Sequence, residues 1–188
     1  MSNLTRHSPS QPTTAERRKI AVRVLCLGNE LLADDSLGNI VAERIRDVAS
    51  PEVEVISTPE SGFHLLDYVL DIRRLVVVDT VVTGISPLGA VHVFRDHELK
   101  AVPGGSPHYV GLYETLAIAR RLGLPVAEEV FFIAVEAADC FTLGGSVDPA
   151  VLAAVPALVN TVRDMLRVEE DGRRLPSLPR ADSRPERP

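Results

Sequence analysis

The chain has 188 residues, 45% hydrophobic and 24% charged. Those proportions fit one globular domain that can bury a sizeable core without disulfide or metal staples. The formal net charge is −6 and lies in the body: residues 1–19 are net +3 and residues 171–188 net +2, leaving −11 for residues 20–170. An acidic body repels phosphate, which argues against nucleic acid as the main partner. Cys26 and Cys140 belong to no CxxC pair, so neither a zinc ribbon nor a dithiol redox site is expected. There is no apolar leader and no run approaching ~18 uninterrupted apolar residues, so the expected setting is the reducing cytoplasm, with no membrane contact.

Residues 1–18 are polar and aperiodic, and residues 171–188 mix four prolines with scattered charges. Both read as disordered arms around a domain of residues 19–170. Within it, Ile20–Leu27 is a β-rich apolar run that stops at Gly28-Asn29. Leu37, Ile40, Val41, Ile45 and Val48 follow at helical spacing, with Asp34, Asp35 and Ser36 where a helix cap belongs. A short strand is predicted over residues 53–57. A short helix is predicted over residues 62–70, with Phe63, Leu66 and Leu70 on one side. Leu75–Val78 reads as a strand covered on both faces. A strand at residues 90–94, a helix at 109–122 and a strand at 130–135 come next. A final amphipathic helix carries Val151, Val155, Leu158, Val159, Val162 and Leu166. Alternating strands and helices predict an α/β three-layer sandwich, a mostly parallel sheet with helices on both faces. The strand at 90–94 follows its predecessor too closely for a parallel crossover, so one antiparallel strand is expected.

GxGxxG, GxxxxGK[ST], HExxH and GxSxG signatures are all missing from the chain. The polar residues at predicted strand ends remain: Asn29 and Asp35 after the first strand, Asp79 ending the apolar run, and Glu136 and Asp139 after the strand at 130–135. In open α/β sheets, ligands bind beyond the carboxyl ends of the strands. His108 lies in a loop, Gly104-Gly105-Ser106-Pro107-His108, that leads into a helix. Two carboxylates and an imidazole suit a divalent transition metal and leave open positions for a partner's groups. Each residue also has a structural reading: Asp35 as a helix cap, Asp79 as the acceptor for a turn amide, His108 as a loop histidine. The other histidines, His7, His64, His92 and His97, have no such company.

The string Gly28-Asn29-Glu30-Leu31-Leu32-Ala33-Asp34-Asp35-Ser36-Leu37-Gly38 closely resembles the opening motif GNxLxxDDxxG of the hydrogenase maturation endopeptidases. Three further stretches are similar, in order: Glu60-Ser61-Gly62-Phe63-His64-Leu65-Leu66, Leu75-Val76-Val77-Val78-Asp79, and Ser106-Pro107-His108-Tyr109-Val110-Gly111-Leu112. Ala134-Val135-Glu136 with Leu143-Gly144 resembles the family's closing strand and loop. The resemblance spans roughly residues 20–167. The sequence departs from the pattern at Ser36, where Gly is common, and at Thr58-Pro59-Glu60, where Asp-Gly-Gly is common.

The resemblance implies a twisted five-stranded sheet between helices, and an endopeptidase. Its substrate would be a nickel-loaded [NiFe]-hydrogenase large-subunit precursor, from which it removes a C-terminal extension. It also implies that Asp35, Asp79 and His108 contact the nickel, which belongs to the precursor. Acid–base chemistry then suggests Asp35 or Asp79 as the catalytic carboxylate that accepts a proton, an aspartyl-type chemistry. Two rival expectations are a non-catalytic nickel-binding assembly factor and a small nucleotide-binding α/β domain. The missing Gly-rich signature weighs against the second.

Overall fold

The computed structural model describes residues 20–96 and 109–170. The predicted arms at 1–18 and 171–188, His97, and the loop that ends in His108 lie outside the described residues. Five strands form: β1 (Ile20–Leu27), β2 (Val53–Thr58), β3 (Ile72–Val81), β4 (Val91–Arg95) and β5 (Glu129–Glu136). They assemble into one sheet in the order β2-β1-β3-β5-β4. All neighbours are parallel except β4, which runs antiparallel to β5. The expected antiparallel strand is therefore present, and it pairs at the edge with β5.

Side-chain alternation along the strands splits the core into two layers. Val24, Cys26, Val76, Val78, Phe131 and Ile133 face one side. They meet Leu37, Val41 and Ile45 of α1 (Leu37–Arg46) and Val155, Leu158 and Val162 of α5 (Val155–Glu170). Leu25, Leu27, Leu75, Val77, Val130 and Phe132 face the other side. There they meet Val69 of α2 (Leu66–Val69) and Leu112 and Leu116 of α3 (Tyr109–Arg121), with Leu65 just before α2. The result is the three-layer α/β sandwich expected from the sequence.

Two predicted helices differ in detail. The segment after β2 opens as a 3-10 turn over Gly62–Leu65 before α2. Three residues per turn shift the phase, so Leu65 and Val69 are buried while Phe63 is 62% exposed. Of the predicted stripe, Leu66 and Leu70 pack partly buried against the core and Phe63 alone turns outward. The last helix is broken into α4 (Pro149–Ala153) and α5 at Ala154. Pro156 has no N–H to continue the ladder, and α5 restarts around it. The run Pro149–Leu166 has the length and composition of a membrane span, but its apolar stripe Val151, Val155, Leu158 and Val162 is packed on the sheet.

α1 follows β1 on one face, whereas α2 returns from β2 to β3 across the other. The strand order therefore reverses between β1 and β3. At such a switch point the two flanking connections leave in opposite directions, and a crevice opens at the strands' carboxyl ends.

Candidate active site at the β1/β3 switch point

The turn out of β1 is compressed by two glycines. A Cβ at Gly28 would lie 2.1 Å from the Asp35 carbonyl oxygen, and one at Gly38 would lie 2.1 Å from the Leu27 carbonyl oxygen. No side chain fits at either place. The bare backbones therefore bring the 3-10 turn Asp34–Ser36 and the start of α1 directly onto the end of β1.

That approach buries both members of the acid pair, each 1% exposed, and gives them different tasks. The Asp34 carboxylate accepts three backbone N–H groups: Ala138 at 2.8 Å and Asp139 at 2.9 Å on Oδ2, and Asp148 at 2.6 Å on Oδ1. It ties the loop after β5 and the start of α4 to the β1 turn. The Asp35 carboxylate turns back toward the strands instead. Its Oδ2 accepts the Asn29 N–H at 2.8 Å, and its Oδ1 accepts the Thr80 hydroxyl at 3.2 Å. Neither makes a side-chain cap to its own helix, so the capping reading of Asp35 is corrected, while Ser36 stands at the N-cap position of α1 as expected, without a side-chain cap bond. The glycine-forced approach places the carboxylates against other segments.

Asp79, buried at the end of β3, accepts the Thr80 N–H on Oδ1 at 2.7 Å. Thr80 lies inside β3, which runs on to Val81, so this is a contact within the strand and not the turn-amide contact of the structural reading. The Thr80 oxygen also accepts from the Cys140 thiol at 3.3 Å. Burial pushes that thiol up to about 12, and burial does the same to Cys26. Both cysteines are free and protonated near neutrality, and neither is a nucleophile.

Asn29, Asp35 and Asp79 are thus brought to one switch point. Glu136 and Asp139 are not. Glu136 accepts the Thr83 and Gly84 amides at 2.8 and 2.7 Å and the Thr83 hydroxyl at 2.5 Å, organising the loop after β3. Asp139 is a turn organiser: the Thr142 side chain and the Phe141 and Thr142 amides hold its carboxyl below the usual range. Among the described residues, no three His, Cys, Asp or Glu side chains gather as a metal site, and His108 lies outside those residues. The helix that follows His108 in sequence is docked near this edge. A Cβ at Gly111 would lie 2.4 Å from the Gly62 nitrogen, and the Thr115 hydroxyl donates to the Gly62 carbonyl at 2.9 Å. Thr80 escaped the sequence reading; its signal was a hydroxyl directly after the acid that ends an apolar strand.

The rim is apolar and exposed. Leu31, Phe141 and Leu143 are 59–74% exposed on loops joined by Ala33 N–H to Thr142 O and Gly144 N–H to Leu31 O. Exposed apolar side chains around a polar crevice suit a protein substrate more than a small polar one.

A profile of the hydrogenase maturation protease family matches residues 39–165. The chain belongs to that family. The matched span contains Asp79 and begins just after Asp35. Among curated relatives, a hydrogenase expression/formation protein, HupD, of Rhizobium leguminosarum bv. viciae is 29% identical over 164 residues, covering 85% of this chain and 78% of the relative. HupD of Bradyrhizobium diazoefficiens is 30% identical over 145 residues, covering 74% and 73%. Among solved structures, the hydrogenase maturating endopeptidase HybD from E. coli superposes with a TM-score of 0.68 at 24% identity, over 81% of this chain and 94% of that one. The [NiFe] hydrogenase maturation protease HybD from Thermococcus kodakarensis gives 0.60 at 26% identity, over 77% and 98%. The protease thus shares the sheet and helices of its family.

Proposed function

We propose that this protease acts in the cytoplasm on the large-subunit precursor of a [NiFe]-hydrogenase, removing its C-terminal extension once nickel is in place. Asp35, Asp79 and His108 complete the coordination of the precursor's nickel, which is part of the substrate. The observation that carries this reading is the burial of Asp35 and Asp79 at the β1/β3 switch point, joined through Thr80. Carboxylates and an imidazole are suitable ligands for nickel with open positions. A precursor without nickel lacks that contact and binds poorly, so metal loading is checked by differential affinity.

For the cleavage step, one of the two carboxylates would accept the proton of a water that attacks the scissile carbonyl and return it to the departing amine, and nickel held by the precursor would supply Lewis-acid polarisation. Two buried, protonated thiols speak against covalent cysteine attack.

The test is incubation of the purified protein with its precursor, with and without nickel inserted, following tail release by mass spectrometry. Cleavage is expected only of the nickel-loaded form. Equal cleavage of both forms would overturn the checkpoint, and release of no peptide from either would favour a non-catalytic assembly factor.

A further inference from the structure

We propose that Thr80 is the positioning residue that fixes Asp35 relative to Asp79, and so sets the geometry in which the two carboxylates meet nickel. The inference rests on the reading of those carboxylates as nickel-facing. One residue binds both: its backbone N–H donates to Asp79 Oδ1 at 2.7 Å, and its hydroxyl donates to Asp35 Oδ1 at 3.2 Å. Neighbouring strand residues point to opposite faces of a sheet. Val76 and Val78 belong to the α1/α5 layer, as Leu75 and Val77 belong to the α2/α3 layer. Thr80 therefore continues the α1 side and Asp79 the α3 side. Asp35, arriving with α1, is reached by the Thr80 side chain, while Asp79 stands on the other side of the strand.

The direction of the hydrogen-bond chain is set by its donors. A hydroxyl has one proton, and Asp35 Oδ1 accepts it. The Thr80 lone pair then takes the Cys140 S–H at 3.3 Å. Cys140 and Thr80 are both 1% exposed, so water does not compete for either group. The buried thiol has a use that requires no reactivity: it keeps the Thr80 rotor aimed at Asp35.

Two substitutions separate positioning from packing. Thr80→Val keeps the shape and removes the hydroxyl; Thr80→Ser keeps the hydroxyl and removes a methyl. A packing role predicts that Val is harmless and Ser harmful. Positioning predicts the reverse. With nickel(II) alone as probe, titration calorimetry of the full-length protein is expected to show Thr80→Val weakened by about 10- to 100-fold, the range for loss of a ligand-orienting partner. Thr80→Ser recovers binding to within about threefold by the same rule. With the nickel-loaded precursor, Thr80→Val should raise KM more than it lowers kcat. Wild-type affinity in Thr80→Val, or equal losses in both variants, would overturn the proposal. Should Thr80→Val fail to fold, Cys140→Ala frees the Thr80 rotor and is expected to weaken nickel binding severalfold; unchanged affinity there would overturn it too. Asp79→Asn serves as the control arm. If it binds nickel normally, the site reading itself is lost; if it loses nickel while Thr80→Val keeps it, only the positioning role is lost.

Discussion

Toward the amino ends of the strands, Arg23 on β1 and Arg74 on β3 are buried with their charges answered. Arg23 pairs with Glu54 at 2.6 Å and donates to the Tyr68 carbonyl at 2.6 Å and the Asp67 carbonyl at 3.3 Å, near the end of α2. Arg74 pairs with Glu129 at 2.6 Å and donates to the Met165 carbonyl at 3.0 Å. Toward the carboxyl ends, the buried charges are carboxylates, and the donors that hold Asp34 and Glu136 are backbone amides and a hydroxyl. One end closes the sandwich by joining strands and helices with matched charge. The other gathers acceptors of one sign, an arrangement that suits a cation brought by a partner. Evenly distributed ion pairs would stabilise the fold and leave nothing for a metal to complete.

The carboxyl end is itself divided, and the largest effects should expose that division. Asp34→Ala leaves three part-buried amides without their acceptor; at roughly 1 kcal/mol for each, the low end for a donor that solvent can partly reach, a loss of about 3 kcal/mol is expected in urea unfolding. Asp79→Asn retains an oxygen for the Thr80 amide. It should unfold near the wild-type midpoint yet abolish processing of the nickel-loaded precursor, and His108→Ala should do the same. Unfolding of Asp79→Asn as early as Asp34→Ala would erase the distinction between a structural and a reacting acid.

A smaller effect is expected at the amino end. Arg74→Met removes a buried cation, but Glu129 is 46% exposed at its side chain, so solvent relieves the carboxylate left behind. The expected loss is about 1–3 kcal/mol, with processing per folded molecule unchanged. A drop in kcat at normal stability would show that the two ends are coupled.

The smallest effect concerns the thiols. Burial raises Cys26 and Cys140 from 9.0 to about 12. The folded-state value lies above the unfolded one, so their contribution to stability is complete below pH 9.0 and is lost as pH rises toward about 12. The urea midpoint should fall between pH 8 and pH 10, and less so in Cys26→Ala. Neither thiol should react with a disulfide reagent at pH 8 until the chain is unfolded. Prompt labelling of Cys140 in the native protein would show that the group behind Thr80 is open to solvent.

Period and punctuation in the chain determined the layers. Val, Leu and Phe runs of strand length, the 3.6-residue spacing of Leu37, Val41 and Ile45, and the short step from β3 to β4 were enough for a mostly parallel sheet between helices. Local order also marked Asn29, Asp35 and Asp79 as strand-end groups. The chain alone did not decide which strand ends become neighbours. Asp35 and Asp79 are 44 positions apart, and their meeting depends on β3 lying beside β1, a consequence of α1 and α2 packing on opposite faces. The family resemblance singled out Asp35, but the physical chemistry of the chain did not separate the two adjacent aspartates, which have the same chemistry and the same burial. Asp34 became an anchor for the loop after β5 and Asp35 the partner of Thr80 because Gly28 and Gly38 let one turn press against β1. That contact aims one carboxylate at the loop after β5 and the other at Thr80, and only packing in three dimensions sets those directions.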